Sequence, residues 1–234
     1  MWRPQVEALS HWYRVCCFDM LGHGQAPQPP GSRSLSDFVS QAREVVETCG
    51  GDSPVLGGFS MGGLIAQAYG AKYSDSLSGL IILNAVYDRT DAEKAIVRAR
   101  YKAMEEGGVE SALASANDRW FTAEEREHQA STVNDILGWI KHGTFAEKRK
   151  AHRVFSQGDE EVTGTLGGIR CPTLVMTGSD DAGSKPRMAH DIAAAIDGAE
   201  CAILEGQRHM MTVMDAERVN ARILRFLASL GQAA

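Results

Sequence analysis

The sequence predicts an α/β protein: a mostly parallel sheet with helices on both faces and a helical cap set into it. Three observations lead there. Short apolar segments alternate with amphipathic helical ones, the rhythm of strand–helix–strand units. Residues 1–86 and 167–234 keep this rhythm, whereas residues 87–166, rich in Glu, Lys, Arg and Ala, hold helical patterns and no convincing strand. The core is therefore assigned to 1–86 and 167–234 and the cap to 87–166. A chain of 234 residues is long enough for one such domain with its insertion.

Residues 13–18 (YRVCCF) are short and β-branched or aromatic, and predict the first strand; Asp19 and the loop GHGQAPQPPG follow. From Ser34 onward, Leu35, Phe38, Val39, Ala42, Val45, Val46 and Cys49 recur at helical spacing on one face. Ser34 with Asp37 suits a capping box, and Gly50-Gly51 ends that helix. Residues 54–58 predict a strand running into Ser60 and the helix GGLIAQAYGAKY. Residues 79–83, apolar on both faces, predict a buried parallel strand. Within the cap, Thr122 with Glu125 suits a second capping box. The alternation then resumes with strand 173–176, helix 187–196, strand 200–204 and helix 216–230.

Composition narrows the function classes. Hydrophobic residues make up 44% and charged residues 23%, as in an ordinary soluble domain. A net charge of −6 with basic and acidic residues interspersed gives no reason to expect nucleic acid as a partner. The longest apolar stretch, 79–85, is far too short to cross a bilayer, and the N-terminus MWRPQVEALSHW lacks the apolar core of a signal peptide. Five cysteines without a CxxC pair predict a reduced, cytoplasmic protein without structural disulfides. No His/Cys clustering predicts a metal site. A homo-oligomer stays open.

The chemistry lies in three loops. Gly58-Phe59-Ser60-Met61-Gly62-Gly63 is a GxSxG sequence between a predicted strand and a predicted helix. A nucleophile there sits on a tight, strained turn, where side chains two positions to either side would collide with neighbouring elements. The turn lifts the Ser60 hydroxyl and places the Met61 N–H at a helix start, able to bind an oxyanion. A serine hydroxyl needs a base, and His209, in the loop EGQRHMM between the last strand and last helix, is the best placed of seven histidines. His23, between two glycines, is its rival. The base needs a carboxylate to hold its tautomer. Asp180 and Asp181 follow a strand one strand–helix–strand unit before His209; Asp181 is preferred, with Asp88 a more distant alternative. Chance occurrence of GxSxG, an ordinary polar turn at 180–181 and solvated histidines are the competing structural readings.

The stretches FDMLGHGQA, GFSMGG, CPTLVMTGSDD and GQRHM followed by an amphipathic helix resemble the α/β-hydrolase superfamily over essentially the whole chain. The cap stretch NDRWFTAEE is similar to one in 3-oxoadipate enol-lactonases and related esterases. The resemblance implies a small carboxylic ester or lactone as substrate, no cofactor, and structural roles for Asp19 and His23. Ser60 sets the chain apart from dehalogenase relatives, which carry Asp there. Trp120, Phe121 and Trp139, with Phe145 and Phe155, are candidate pocket residues, and Arg119 could meet a substrate carboxylate; for each, packing or solvation is the competing reading.

The family pattern also has about three strands before the helix that MWRPQVEALS resembles, the third leading into a His-Gly loop that donates a second oxyanion N–H. That third strand lies between the strands expected at 13–18 and 54–58. Its loss would strand rows of backbone groups at about 1–3 kcal/mol for each buried one, against a total stability of about 5–15 kcal/mol. The resemblance thus implies that Met1 is an internal methionine of a longer protein. A chain lacking the second donor is expected to lose about a hundred- to a thousandfold in rate. Two competing functions follow: a non-catalytic protein of the same fold that binds a small molecule, and a C–C hydrolase or perhydrolase with the same triad.

Overall fold

The computed structural model describes residues 1–49 and 51–231. In chain order the elements are α1 (Arg3–Leu9), α2 (Leu35–Cys49), β1 (Val55–Phe59), α3 (Met61–Tyr73), β2 (Gly79–Leu83), α4 (Asp91–Trp120), α5 (Ala123–His128), α6 (Ala130–Lys141), α7 (Phe145–Gln157), α8 (Asp159–Val162), β3 (Thr173–Gly178), α9 (Pro186–Ala195), β4 (Glu200–Leu204), α10 (Met211–Met214) and α11 (Ala216–Ser229). The strands form one parallel sheet in the order β1-β2-β3-β4 among the described residues, with Ile81 opposite Leu174 and Leu83 opposite Met176.

Strand alternation sorts the core into two layers. Leu80, Ile82 and Val175 point to one face, where α2, α3 and α9 cover them with Phe38, Val39, Leu64, Met188 and Ile192. Ile81, Leu83, Leu174 and Met176 point to the other, where α11 lays down Val219, Ile223, Phe226 and Leu227. Their spacing of three and four is one helical face, and each buried side chain contributes about 1.5–3 kcal/mol of transfer free energy. β2 is buried along its whole length, as its apolar run predicts.

Residues 13–18 correct the sequence reading. They form no strand: β1 pairs only with β2 among the described residues, and Cys16, Cys17 and Phe18 are exposed. A β-branched, aromatic run becomes a strand only where a neighbouring ladder accepts its backbone groups, and none adjoins this one.

The helix starts follow their capping residues. Thr90 with Glu93 and Thr122 with Glu125 both close complete capping boxes. Ser34 makes a variant: Asp37 accepts the Ser34 N–H at 2.8 Å, but the Ser34 hydroxyl donates to Asp37 rather than accepting from its amide. Gly51 takes φ +64 after α2; Gly50 lies outside the described residues. The predicted helical block contains α4 to α8, and α4 kinks at Gly108 with φ +62.

The C-terminal end of α4 meets the carboxyl edge of the sheet. Arg208 Nη1 donates to the carbonyls of Asp118 (2.7 Å) and Phe121 (2.8 Å), and the Met210 N–H donates to the Trp120 carbonyl at 3.4 Å. A cation on the last carbonyls of a helix is favourable for charge as well as for hydrogen bonding. No described helix is long and apolar enough to cross a membrane.

Candidate active site

All four described strands run the same way, so the loops that leave their carboxyl ends gather at one edge. β1 delivers Ser60, β2 delivers Asn84, β3 delivers Asp181 and β4 delivers His209.

Ser60 stands between β1 and α3 with φ 54 and ψ −113, outside the regions an L-residue ordinarily occupies. Its N–H extends the sheet ladder to the Leu83 carbonyl at 2.9 Å while its own carbonyl accepts from Leu64, so strand and helix fix the turn from both sides. The surrounding glycines divide unequally. A Cβ on Gly58 would lie 2.0 Å from the Gly62 carbonyl oxygen, and one on Gly63 would lie 2.7 Å from Ala85 Cβ. A Cβ on Gly62 would meet nothing within 4 Å, so the collision expected two positions after the nucleophile falls one position later. Met61 opens α3, where the first N–H groups of a helix have no intrahelical acceptor.

His209 is buried, with its ring 5.0 Å from Phe59 and stacked 6.0 Å from Trp120. Nε2 lies 3.0 Å from Ser60 Oγ and Nδ1 lies 2.7 Å from Asp181 Oδ2. A carboxylate at Nδ1 fixes the proton there and leaves Nε2 free to accept from the serine hydroxyl. Gly178, at the end of β3, permits this approach. A Cβ there would lie 2.0 Å from the Gln207 carbonyl oxygen, in the backbone of the loop that carries His209.

Asp181 is held at both oxygens. Oδ1 accepts the N–H groups of Gly183 and Ser184, each at 2.9 Å, and Oδ2 accepts Asn84 Nδ2 at 2.9 Å beside His209. Burial alone would raise its carboxyl, but the opposing charge and hydrogen bond of His209, with the donors from Ser184 and Asn84, bring it below the usual carboxylate range. Asn84 was not anticipated. It sits at φ 47 directly after β2, and a polar residue ending a wholly apolar strand next to the acid's strand is the signal that marks it.

The rival residues stand elsewhere. His23 Nδ1 contacts the Leu21 carbonyl of its own loop at 3.2 Å, and burial pushes its imidazole down. Asp19 accepts the Gln25 N–H at 3.1 Å. Asp180 is exposed and accepts from Ser179, and Asp88 is exposed. Of the aromatic candidates, Trp120 stacks on His209. Phe121 is fully buried in the layer of Val133 and Ile136, Trp139 is 39% exposed on α6, and Phe155 lies beneath the Arg89 guanidinium.

A hydroxyl, an imidazole and a fixed carboxylate in one hydrogen-bonded line can pass a proton from the hydroxyl to the ring and keep the charged ring neutralised.

The Hydrolase_4 family model, described as serine aminopeptidase, S33, matches residues 6–217. The (E)-2-((N-methylformamido)methylene)succinate hydrolase of Acinetobacter baylyi is 32% identical over 97% of this chain and 84% of its own length. The 3-oxoadipate enol-lactonase 1 of the same organism is 26% identical over 77% of this chain and 66% of its own. A solved esterase from Thermogutta terrifontis superposes with a TM-score of 0.87 at 24% identity, covering 98% of this chain and 85% of that one.

Proposed function

Because the chain belongs to the α/β-hydrolase family, a family of enzymes, we propose that it cleaves a small carboxylic ester or lactone through an acyl-enzyme on Ser60. His209 takes the Ser60 proton as the hydroxyl attacks the acyl carbon. The Met61 N–H stabilises the oxyanion. His209 then protonates the leaving alkoxide and activates the water that releases the acid. Asp181 keeps the proton on Nδ1 and stabilises the imidazolium throughout. Trp120 forms part of the wall above His209, and residues 87–166 act as the cap. The observation that carries this reading is the unbroken hydrogen-bonded line from Ser60 Oγ through His209 to Asp181.

A second reading concerns the bond cleaved. The relative named for a methylformamido compound suggests amide as well as ester cleavage, and the same groups serve it, with His209 protonating an amine in place of an alkoxide. A fluorophosphonate probe tests both. Ser60→Ala is expected to abolish labelling while a change at the exposed Ser10 leaves it intact. A native chain that never labels would instead favour a non-catalytic binding protein, and labelling that survives Ser60→Ala would place the reactive hydroxyl at another residue.

A further inference from the structure

Above the proposed triad lies a cluster of cationic side chains that the hydrolytic mechanism does not use. It comprises Arg89, Arg100 and Arg119, with His152 from α7 beside them. Arg89 is accounted for: both it and Asp159 are buried, their ion pair is 2.6 Å long, and Arg89 also donates to the Phe155 carbonyl. Arg100 and Arg119 differ. Both are partly buried on α4, and neither has an ion-pair partner among the described residues. Among the described residues the only side-chain hydrogen bond of Arg119 runs from Nε to Ser115 Oγ at 3.2 Å, and it leaves the outer nitrogens of the fork unused.

The position of Arg119 is fixed by the neighbouring backbone; Arg100, on the same helix, acts on Arg119 and His152 through its charge. A Cβ built on Gly183 would stand 3.8 Å from Arg119 Nη1 and 3.5 Å from Asp181 Oδ1, so the guanidinium overhangs the loop of the triad acid. Trp120, the next residue, stacks on His209. The carboxylate that acts on both arginines is Asp181, and its four hydrogen bonds are already taken by Gly183, Ser184, Asn84 and His209. His152 is stacked on Tyr101 with ring centroids 5.8 Å apart, and its buried Nδ1 has no hydrogen-bond partner among the described residues.

The electrostatics agree with this geometry. Burial, then the like charge of Arg100, pushes the Arg119 guanidinium down to about 10, and burial with the charge of Arg89 lowers Arg100. Burial, then Arg100, Arg119 and Arg89, pushes His152 down to about 4, which leaves a neutral imidazole beside the two cations. Two like charges partly withdrawn from water, with no ion pair among the described residues and only the already hydrogen-bonded Asp181 to oppose them, destabilise the free protein, and an anionic ligand would relieve that.

We propose that Arg100 and Arg119 form a binding site for an ionised carboxylate carried by the substrate, distinct from the acyl group that Ser60 attacks. The substrate class is then a monoester, lactone or amide of a dicarboxylic acid. The inference rests on the Ser60 reading for its catalytic context, whereas the anion site can be tested alone. Arg119 offers the fork that grips a carboxylate in two places, Arg100 adds charge, and the neutral His152 can donate a hydrogen bond once its tautomer adjusts.

The test compares 4-nitrophenyl hydrogen glutarate with its methyl ester, which differ in charge at the far end. The native enzyme is expected to favour the anionic compound at least tenfold in kcat/KM, mainly through KM. In Arg119→Gln and Arg100→Gln that preference falls by about ten- to a hundredfold, the range for hydrogen bonds to charged groups. Arg119→Lys keeps the charge without the fork and gives an intermediate preference. Arg98→Gln, an exposed arginine of the same helix, leaves the preference unchanged. No preference in the native enzyme, or equal losses on both compounds in Arg119→Gln, overturns the site. Should neither compound be cleaved, the Ser60 reading fails and glutarate decides the site by itself. A rise in Tm with glutarate that disappears in Arg119→Gln sustains it, and no rise overturns it.

Discussion

Replacing Asp181 with Asn removes one charge and almost no volume, and the structure specifies how the amide must sit. With its nitrogen in place of Oδ1, the amide would face the N–H groups of Gly183 and Ser184, donor against donor, twice. With its nitrogen in place of Oδ2 it faces one such conflict, with Asn84 Nδ2. Each unsatisfied buried donor costs about 1–3 kcal/mol, so the second orientation wins and the fold loses about that amount once. The consequence for His209 is larger. An amide N–H pointing at Nδ1 forces the ring proton onto Nε2, the nitrogen 3.0 Å from Ser60 Oγ. Nε2 then donates where it should accept, and the wrong tautomer costs about 10⁴ in kcat. Hydrolysis of a chromogenic acyl ester measures the rate, and thermal melting checks the fold. Asp181→Asn retaining activity within tenfold of native, while folded, would refute the assigned role of the acid.

Four further perturbations follow from particular contacts. In Gly58→Ala the new Cβ meets the Gly62 carbonyl, so the protein should lose more than about 3 kcal/mol or fail to accumulate folded. Gly62→Ala enters open space in the first turn of α3 and should raise stability by up to about 1 kcal/mol in chemical denaturation, although both glycines belong to one motif. Asp159→Asn leaves the Arg89 guanidinium buried without its counter-charge and should cost about 3–5 kcal/mol, lowering Tm by about 10 °C. Glu93 accepts from Thr90, Lys185 and Arg187. Although burial opposes them, these partners hold its carboxyl at about 2. Its folded pKa is below the unfolded one, so its stabilisation, about 1 kcal/mol after solvent screening, is present above about pH 4.5 and fades toward pH 2. The Tm gap between native protein and Glu93→Gln should therefore close on acidification through that window.

Period and punctuation made much of this fold readable. β2 and β4 match the apolar runs at 79–83 and 200–204, and the capping box at Thr122 is present as written. Those signals are local, because each element carries its own pattern. Residues 13–18 carried an equally plain local pattern and form no strand, since pairing depends on what lies alongside in space. The same division holds at the site. GxSxG, GSDD and GQRHM each stand at a strand end, so chain order names Ser60, Asp181 and His209. Asn84 and Gly178 act through neighbours 97 and 29 positions away, so their own segments mark them only as a polar strand end and a turn glycine and do not name the partners they meet. The aromatic candidates show the limit most clearly. Trp120 and Phe121 are adjacent and chemically alike, yet Trp120 ends α4 and stacks on His209, while Phe121 leaves the helix in an extended conformation and is buried in the core.

The formation of an acyl-enzyme on Ser60 can be observed directly by rapid mixing with an activated ester, followed by mass spectrometry of the quenched protein. The account predicts a burst of about one leaving group per chain, with the acyl mass on the peptide GGFSMGG. Turnover without a burst and with no acylated peptide under any quench, or an acyl group mapped to a different residue, would contradict it.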